Sequence, residues 1–197
     1  MLLDSHIKVY KKKMEGDSHI TTRVEGTLTN VTLEKFFQMM TDVTMMQKGD
    51  TPLKEIKVIE KVSNNSDIIY LKINFPFPLS DRDFLQQRLF LGNKEDPALV
   101  KELGLYDWSH RYYVFIGHSI ERADCPPKKD VVRAHAKMNY WILEEDSQSW
   151  NKIKIKQVAC QDMGGNIPTS VTNTLGVKGA QKRLESFLDN YHRNYSS

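Results

Sequence analysis

The sequence predicts an α+β fold in which a curved antiparallel sheet wraps around a long C-terminal helix. Three observations predict it. Period-two alternation recurs along most of the chain, one helical spacing interrupts it after the first two strands, and a longer helical spacing closes it. Six or so strands lie between the two helical segments, separated by turns and a proline corner. This is the order of an α+β domain and not of a strand-helix-strand repeat.

Ile20, Thr22, Val24, Gly26 and Leu28 alternate with Thr21, Arg23, Glu25 and Thr27, the pattern of an antiparallel strand with one buried face. His6 to Lys13 alternates more weakly and is its predicted hairpin partner. From Thr32 to Met46 the apolar positions Leu33, Phe36, Phe37 and Met40 follow helical spacing, with Thr32 as N-cap and Lys35 where a capping box would carry Glu. Strands resume at Lys54 to Val62 and, after the turn Ser63-Asn64-Asn65-Ser66, at Asp67 to Phe75, whose apolar face is Ile69, Leu71, Ile73 and Phe75. Pro76 and Pro78 cannot donate to a ladder, so pairing stops there and a new strand runs from Asp83 to Leu91.

The polar stretch Asn93 to Asp107, with a short helical run from Pro97, is a surface excursion. His110 to Glu121 is apolar on both faces, Tyr112, Val114 and Ile116 against Tyr113 and Phe115, as in a strand covered on both sides or lining a cavity. After the turn-rich DCPPKKD from Asp124, Val131 to Leu143 and Lys152 to Asp162 form a hairpin. Ile153, Ile155, Gln157 and Ala159 face one way on its second strand, and Lys152, Lys154 and Lys156 the other. Gly164, Gly165 and Pro168 lead into the terminal helix, where Val171, Leu175, Leu184, Phe187, Leu188 and Tyr191 recur at helical spacing. Gly176 and Gly179 interrupt it, each costing about 1 kcal/mol of helix stability relative to Ala.

At 197 residues with 40% apolar content, the chain suits one domain spanning 1–197. Its 28 basic and 25 acidic residues leave a net charge of only +3, too slight to indicate a nucleic-acid partner. Lys11 to Lys13 and Lys152, Lys154 and Lys156 read as solvated strand faces, with transient attraction to an anionic membrane surface as a secondary role worth about 1 kcal/mol per basic residue. Cys125 and Cys160 lie far apart without metal-ligand spacing, so both are expected reduced and structural, and no metal or cofactor is expected. Neither a signal-peptide pattern nor an uncharged apolar run of about 18 residues occurs, so the expected address is cytoplasmic. No GxSxG, HExxH or glycine-rich phosphate loop is present, and a catalytic His118–Cys125 pair is weighed and set aside, so the chain is not expected to be an enzyme. Asp162 beside Gly164 and Gly165 is a turn former rather than a general acid.

FPFPLSDRDF from Phe75, GHSIERADCPPKKDVVRAH from Gly117 and QDMGGNIPTSVTN from Gln161, followed by a terminal helix, resemble in order and spacing the steroidogenic-acute-regulatory-protein-related lipid transfer (START) domain. The resemblance covers nearly the whole chain and implies a helix-grip fold, a U-shaped sheet holding the C-terminal helix with one lipid in a tunnel between them. It also implies an amphipathic helix ahead of the first strand, which this sequence lacks, so a longer parent chain is expected. An aromatic Trp-Asp pair of the family reads Gly49-Asp50 here.

The resemblance implies a lipid site at Met40, Met46, Ile69, Leu71, Ile73, Phe84, Arg88, Tyr113, Phe115, Lys137, Gln157, Val171 and Leu175. Phe75 to Asp81 would be the loop near the tunnel mouth, tied back by Arg82 and Asp83. Arg88 shares the inward parity of Phe84. Sterol-binding members set an acidic residue opposite this arginine, at the position of Ile69, which cannot neutralise it here; a lipid phosphate is then the expected partner. Positions matching the choline cage of phosphatidylcholine-transfer members read Met46, Leu71 and Phe84, so the cage is incomplete. Alignment turns His135, Lys137 and Asn139 inward, whereas periodicity turns Ala134, Ala136 and Met138 inward; an inward Lys137 would favour an acidic headgroup, and a solvated one is the alternative.

The expected function is therefore transfer of one lipid, a phospholipid by preference, by a monomer making transient membrane contact. A sensing or regulatory module, or a sterol or ceramide carrier, is the alternative. Release is expected where the terminal helix is softest, near Val171, Leu175, Gly176 and Gly179.

Overall fold

The computed structural model describes residues 7–13, 19–49, 52–102, 104, 110–165, 167 and 169–195. The hairpin β1 (Lys8–Lys13) and β2 (Ile20–Thr29) leads into helices α1 (Leu33–Thr41) and α2 (Val43–Gly49). Strands β3 (Leu53–Ser63), β4 (Ser66–Ile73) and β5 (Arg82–Gly92) follow, then α3 (Pro97–Glu102), β6 (Tyr112–Ser119), β7 (Val132–Arg133), β8 (His135–Asp146), β9 (Ser149–Asp162) and α4 (Thr169–Tyr195). The strands form one sheet in the order β1-β2-β9-β8-β6-β5-β4-β3, with the two-residue β7 parallel to β5.

Three sequence expectations are corrected. The predicted helix from Thr32 to Met46 is two helices, because Asp42 adopts an extended backbone and its Oδ1 accepts from the amides of Thr44 (2.7 Å) and Met45 (3.1 Å), opening a new helix. Thr32 precedes α1 without a side-chain cap; its Oγ1 and its amide instead meet the Tyr191 hydroxyl at 3.2 and 3.0 Å, joining α1 to α4. The strand predicted from Val131 is broken at Ala134, whose amide donates to the Asp83 carbonyl.

The inner face of the sheet buries two apolar clusters. The larger packs α1 and the C-terminal half of α4, through Phe36, Met40, Leu184, Phe187, Leu188 and Tyr191, against Val24, Leu28, Ile153, Ile155, Leu143 and Trp141. Met40 is thus a core residue here. The smaller gathers Met46 and Leu53 with Ile69, Leu71, Phe84, Ala134 and Ala136. On the outer face, α3 and the segment after β6 cover β4, β5 and β6, which explains why β6 is apolar on both sides.

β8 carries a register shift between Ala136 and Met138 against β9. The extra residue, Lys137, switches the inward phase: Ala134 and Ala136 are buried before it, Asn139, Trp141 and Leu143 after it. The conflict between alignment and periodicity is resolved segment by segment. Met138 and Lys137 both lie exposed.

Candidate functional site: a cavity between the sheet and two helices

A small, partly open cavity lies between the two apolar clusters. Its floor is the concave face of the sheet, with Ile69, Leu71 and Ile73 of β4, Phe84, Gln86 and Arg88 of β5, Phe115 of β6, Asn139 of β8 and Gln161 of β9. Met46 of α2 and Arg183 of α4 close it from above. β4 and β5 each contribute alternate residues, so the apolar face and the polar groups arise from the same period-two pattern.

The deepest polar group is Arg88, 1% exposed, and its partner is Asp67, its register neighbour on β4, 2% exposed by side chain. Nε and Nη2 reach Oδ1 and Oδ2 at 2.7 and 2.8 Å, a parallel two-bond fork. Nη2 also donates to the Thr41 carbonyl at 3.2 Å, Nη1 meets Met46 Sδ at 3.4 Å, and the guanidinium lies 4.9 Å from the Phe90 ring. The expectation that Arg88 lacks a carboxylate is therefore corrected: the neutralising acid stands two residues before Ile69 on the same face. Charge balance alone does not demand a lipid phosphate.

Beside Arg88, Asn139 Oδ1 accepts from Trp141 Nε1 (3.1 Å) and Gln157 Nε2 (3.3 Å). Gln157 is thus buried behind Asn139 and supports it. Tyr113, also expected in the site, is packed instead under α1, stacked on Phe37 at 4.1 Å with its hydroxyl joined to Arg111 and Glu95; burial raises its phenol pKa. Lys137 is outside the cavity, its Nζ 3.0 Å from His19 Nδ1. The side chains of Val171, Leu175 and Gly176 lie outside the described residues. Gly179 has open space where a Cβ would stand.

The loop between β4 and β5 is held at both ends. Asp81 accepts from Lys54 (2.9 Å), Lys72 (3.3 Å) and the Phe75 amide (3.3 Å), and the hydrogen bond from Lys54 leads in lowering its pKa. Arg82 donates to the carbonyls of Met163 (3.2 Å), Gly164 (3.4 Å) and Ser80 and lies 4.7 Å from the Phe75 ring, and burial depresses its pKa. Asp83 accepts two bonds from Arg133, at 2.8 and 3.2 Å, which raise the Arg133 pKa. Phe77, at the tip, is 97% exposed. Asp162 Oδ1 accepts from the Gly164 amide at 2.8 Å; Gly164 and Gly165 take φ of +62° and +67°, turning the chain toward α4 in a conformation that favours glycine.

His118 is exposed at the end of β6, and Cys125 lies in the outer segment. Neither lines the cavity. Among the described residues, no group of three or more His, Cys, Asp or Glu could hold a metal, and no helix is long and apolar enough to cross a membrane.

The START domain profile matches residues 4–195. The chain belongs to the START domain family. It is 25% identical over 145 residues to StAR-related lipid transfer protein 7, mitochondrial, of Homo sapiens, covering 73% of this chain and 35% of that one. It therefore spans about a third of that relative's length. It is 22% identical over 192 residues to the phosphatidylcholine transfer protein of Mus musculus, covering 96% and 82% of the two chains. The crystal structure of human STARD10 superposes with a TM-score of 0.78 at 21% identity, covering 94% of this chain and 69% of that one, a likeness of fold.

Gly49 stands where the resemblance leads one to expect the Trp of a Trp-Asp pair, and its surroundings leave no room for a side chain unless Asn190 moves. A Cβ at Gly49 would fall within the carboxamide of Asn190, which is 2% exposed and donates to the Met45 carbonyl at 3.1 Å, so α4 fills the space beside α2. Of the expected site residues, Met46, Ile69, Leu71, Ile73, Phe84, Arg88 and Phe115 meet around the cavity. Gln86, Asn139, Gln161 and Arg183 line it as well and were missed, as was Asp67 behind Arg88. A signal existed for four of these, for Asn139 in the alignment parity that turns it inward. Asp67 is the one charge on the Ile69, Leu71, Ile73 face, Gln86 sits at the Phe84 and Arg88 parity, and Gln161 continues the Gln157 and Ala159 parity.

Proposed function

We propose that this START domain encloses one phospholipid in the cavity between sheet and helices and carries it between membranes, without catalysis. The observation that carries the reading is the lining itself: Ile69, Leu71, Ile73, Phe84, Phe115 and Met46 form an apolar wall for acyl chains, interrupted by a few converging polar groups that can orient a head. The phospholipid class is supported by the mouse relative named for phosphatidylcholine transfer. The cavity as it stands is far smaller than a two-chain lipid, so loading requires the α2 and α4 wall to move outward. Membrane contact is brief and made by the monomer.

The test is transfer of fluorescent phospholipid from quenched donor vesicles to acceptor vesicles, compared with protein-free exchange. Acceleration proportional to protein concentration is the expected result. Stoichiometric lipid binding without acceleration would leave a sensing module, and neither binding nor acceleration would reject the reading.

A further inference from the structure

The floor of the cavity carries a band of carboxamides that the fold leaves unpaired. Gln86 of β5 lines the cavity and is 5% exposed, and among the described residues its carboxamide has no hydrogen-bond partner. Gln161 of β9 lines the same cavity, likewise without a partner among them. Asn139 of β8 has its oxygen occupied by the N–H groups of Trp141 and Gln157, so the end it offers the cavity is its Nδ2 amide. Gly117 of β6 stands between Arg88 and Asn139 in register, and the absence of a side chain keeps the floor low between them; a Cβ there would come within 3.3 Å of the Phe115 ring. An amide buried without a partner costs free energy that a complementary group on a ligand recovers.

The band is neutral and rich in donors. Arg88, the one charge on the floor, is balanced by Asp67 through both carboxylate oxygens, and its Nη1 meets only the thioether of Met46. Arg183, in the covering wall, lies 5.5 Å from the Phe187 ring of its own helix. Neither a carboxylate nor a hydroxyl is among the described residues that line the cavity, so what the floor offers is mainly N–H. A charged phosphate finds no unbalanced cation on this floor, whereas an uncharged acceptor loses little on entering and gains the free amides. Acyl carbonyl oxygens are such acceptors. In a phospholipid they stand where the chains meet the head, as the band stands beside the apolar wall of Ile69, Leu71, Ile73 and Phe84.

We infer that this band binds the acyl carbonyl oxygens of the enclosed phospholipid, that the cavity therefore selects an ester-linked lipid over its ether-linked analogue, and that Gln86 is a specificity-determining residue. This rests on the lipid-binding reading above and deepens it. Gln86 and Gln161 donate from the two sides of the floor and Asn139 from its middle, while Asp67 keeps Arg88 in place as a neutral neighbour. A lipid whose linkages are ethers leaves the amides unpaired inside the filled cavity, and a site built on buried polar groups rejects the analogue that cannot pair them.

The experiment offers the protein vesicles containing equal amounts of a diacyl phosphatidylcholine and its dialkyl analogue of matched chain length, removes the vesicles, and compares the two adducts by native mass spectrometry. The heads are identical, so only the linkage is tested. The diacyl adduct is expected in about tenfold excess, the weight of one hydrogen bond left unmade. Gln86→Met, similar in shape but without N–H, is expected to bring the ratio toward one. Gln86→Glu, which keeps the shape and accepts where Gln donates, is expected to do the same and separates lost donation from altered packing. The wild-type ratio is read without any variant, so misfolding of either variant would not shelter the inference. Equal adducts, or an excess of the dialkyl lipid, overturn the carbonyl inference while leaving lipid binding in place. A wild-type preference that persists in a folded Gln86 variant overturns the role of Gln86. Absence of both adducts removes the inference together with the lipid-binding reading.

Discussion

Replacing Asp67 by Asn should be among the most damaging single changes in this domain. Arg88 is 1% exposed and Asp67 supplies both oxygens of its fork, at 2.7 and 2.8 Å. The variant leaves the guanidinium with the Thr41 carbonyl, Met46 Sδ and the Phe90 face, none of which carries a compensating charge. Removing one partner of a buried pair costs about 3–5 kcal/mol. Lys61, which also reaches Asp67 at 3.4 Å, is 63% exposed and accounts for no more than about 1 kcal/mol of it. The double variant Asp67→Leu with Arg88→Met replaces the pair by apolar groups of similar volume and should recover most of the loss or exceed wild type. Urea unfolding followed by tryptophan fluorescence decides it: the midpoint of Asp67→Asn should fall with the slope unchanged, and that of the double variant should return. A loss under about 1 kcal/mol for Asp67→Asn, or a double variant as unstable as the single, would refute the claim that this pair is buried and mutually compensating.

Gly179→Ala fills open space in α4 and should raise stability by about 0.5–1 kcal/mol, a rise in melting temperature of about 1–4 °C; a fall would show that the helix is crowded there. Gly49→Ala drives a methyl into the Asn190 carboxamide and should cost about 1–3 kcal/mol by the same urea measurement, whereas a neutral result would mean α2 and α4 separate freely. Asp81 has its folded pKa lowered, first by the hydrogen bond from Lys54, so its contribution is complete above the unfolded carboxyl's titration near 4 and fades as pH falls through the lower folded value. Asp81→Asn should therefore be less stable than wild type near neutral pH and converge with it once pH has fallen through that lowered folded value; a gap independent of pH would contradict the assignment.

The strands of this domain were legible because one face of each is buried and the other wet, as with Val24 and Leu28 or Ile153 and Ile155. The rule failed where a single residue was inserted. Periodicity cannot see the bulge at Lys137, which moves Asn139 and Trp141 onto the inner face after Ala134 and Ala136, so the inward place of Asn139 was visible only through the alignment parity. The helix break at Asp42 depends on one carboxylate reaching two amides, a local competition that apolar spacing does not record. The resemblance points to Ile69 as the position of the acid, but register, which only pairing in three dimensions fixes, sets Asp67, two residues earlier, opposite Arg88. Arg183 and the fit of Asn190 into Gly49 depend on how α4 lies across the sheet, a long-range arrangement without a sequence period.

Enclosure of one lipid per chain in the cavity lined by Arg88 can be read directly as a mass. Native mass spectrometry of the protein after incubation with phospholipid vesicles and removal of the vesicles tests it most directly. One phospholipid mass added per chain is expected, with the adduct reduced when Phe84→Arg obstructs the apolar wall. A folded wild-type protein that remains at its bare mass, or gains several lipids in a graded series that Phe84→Arg leaves unchanged, would contradict it.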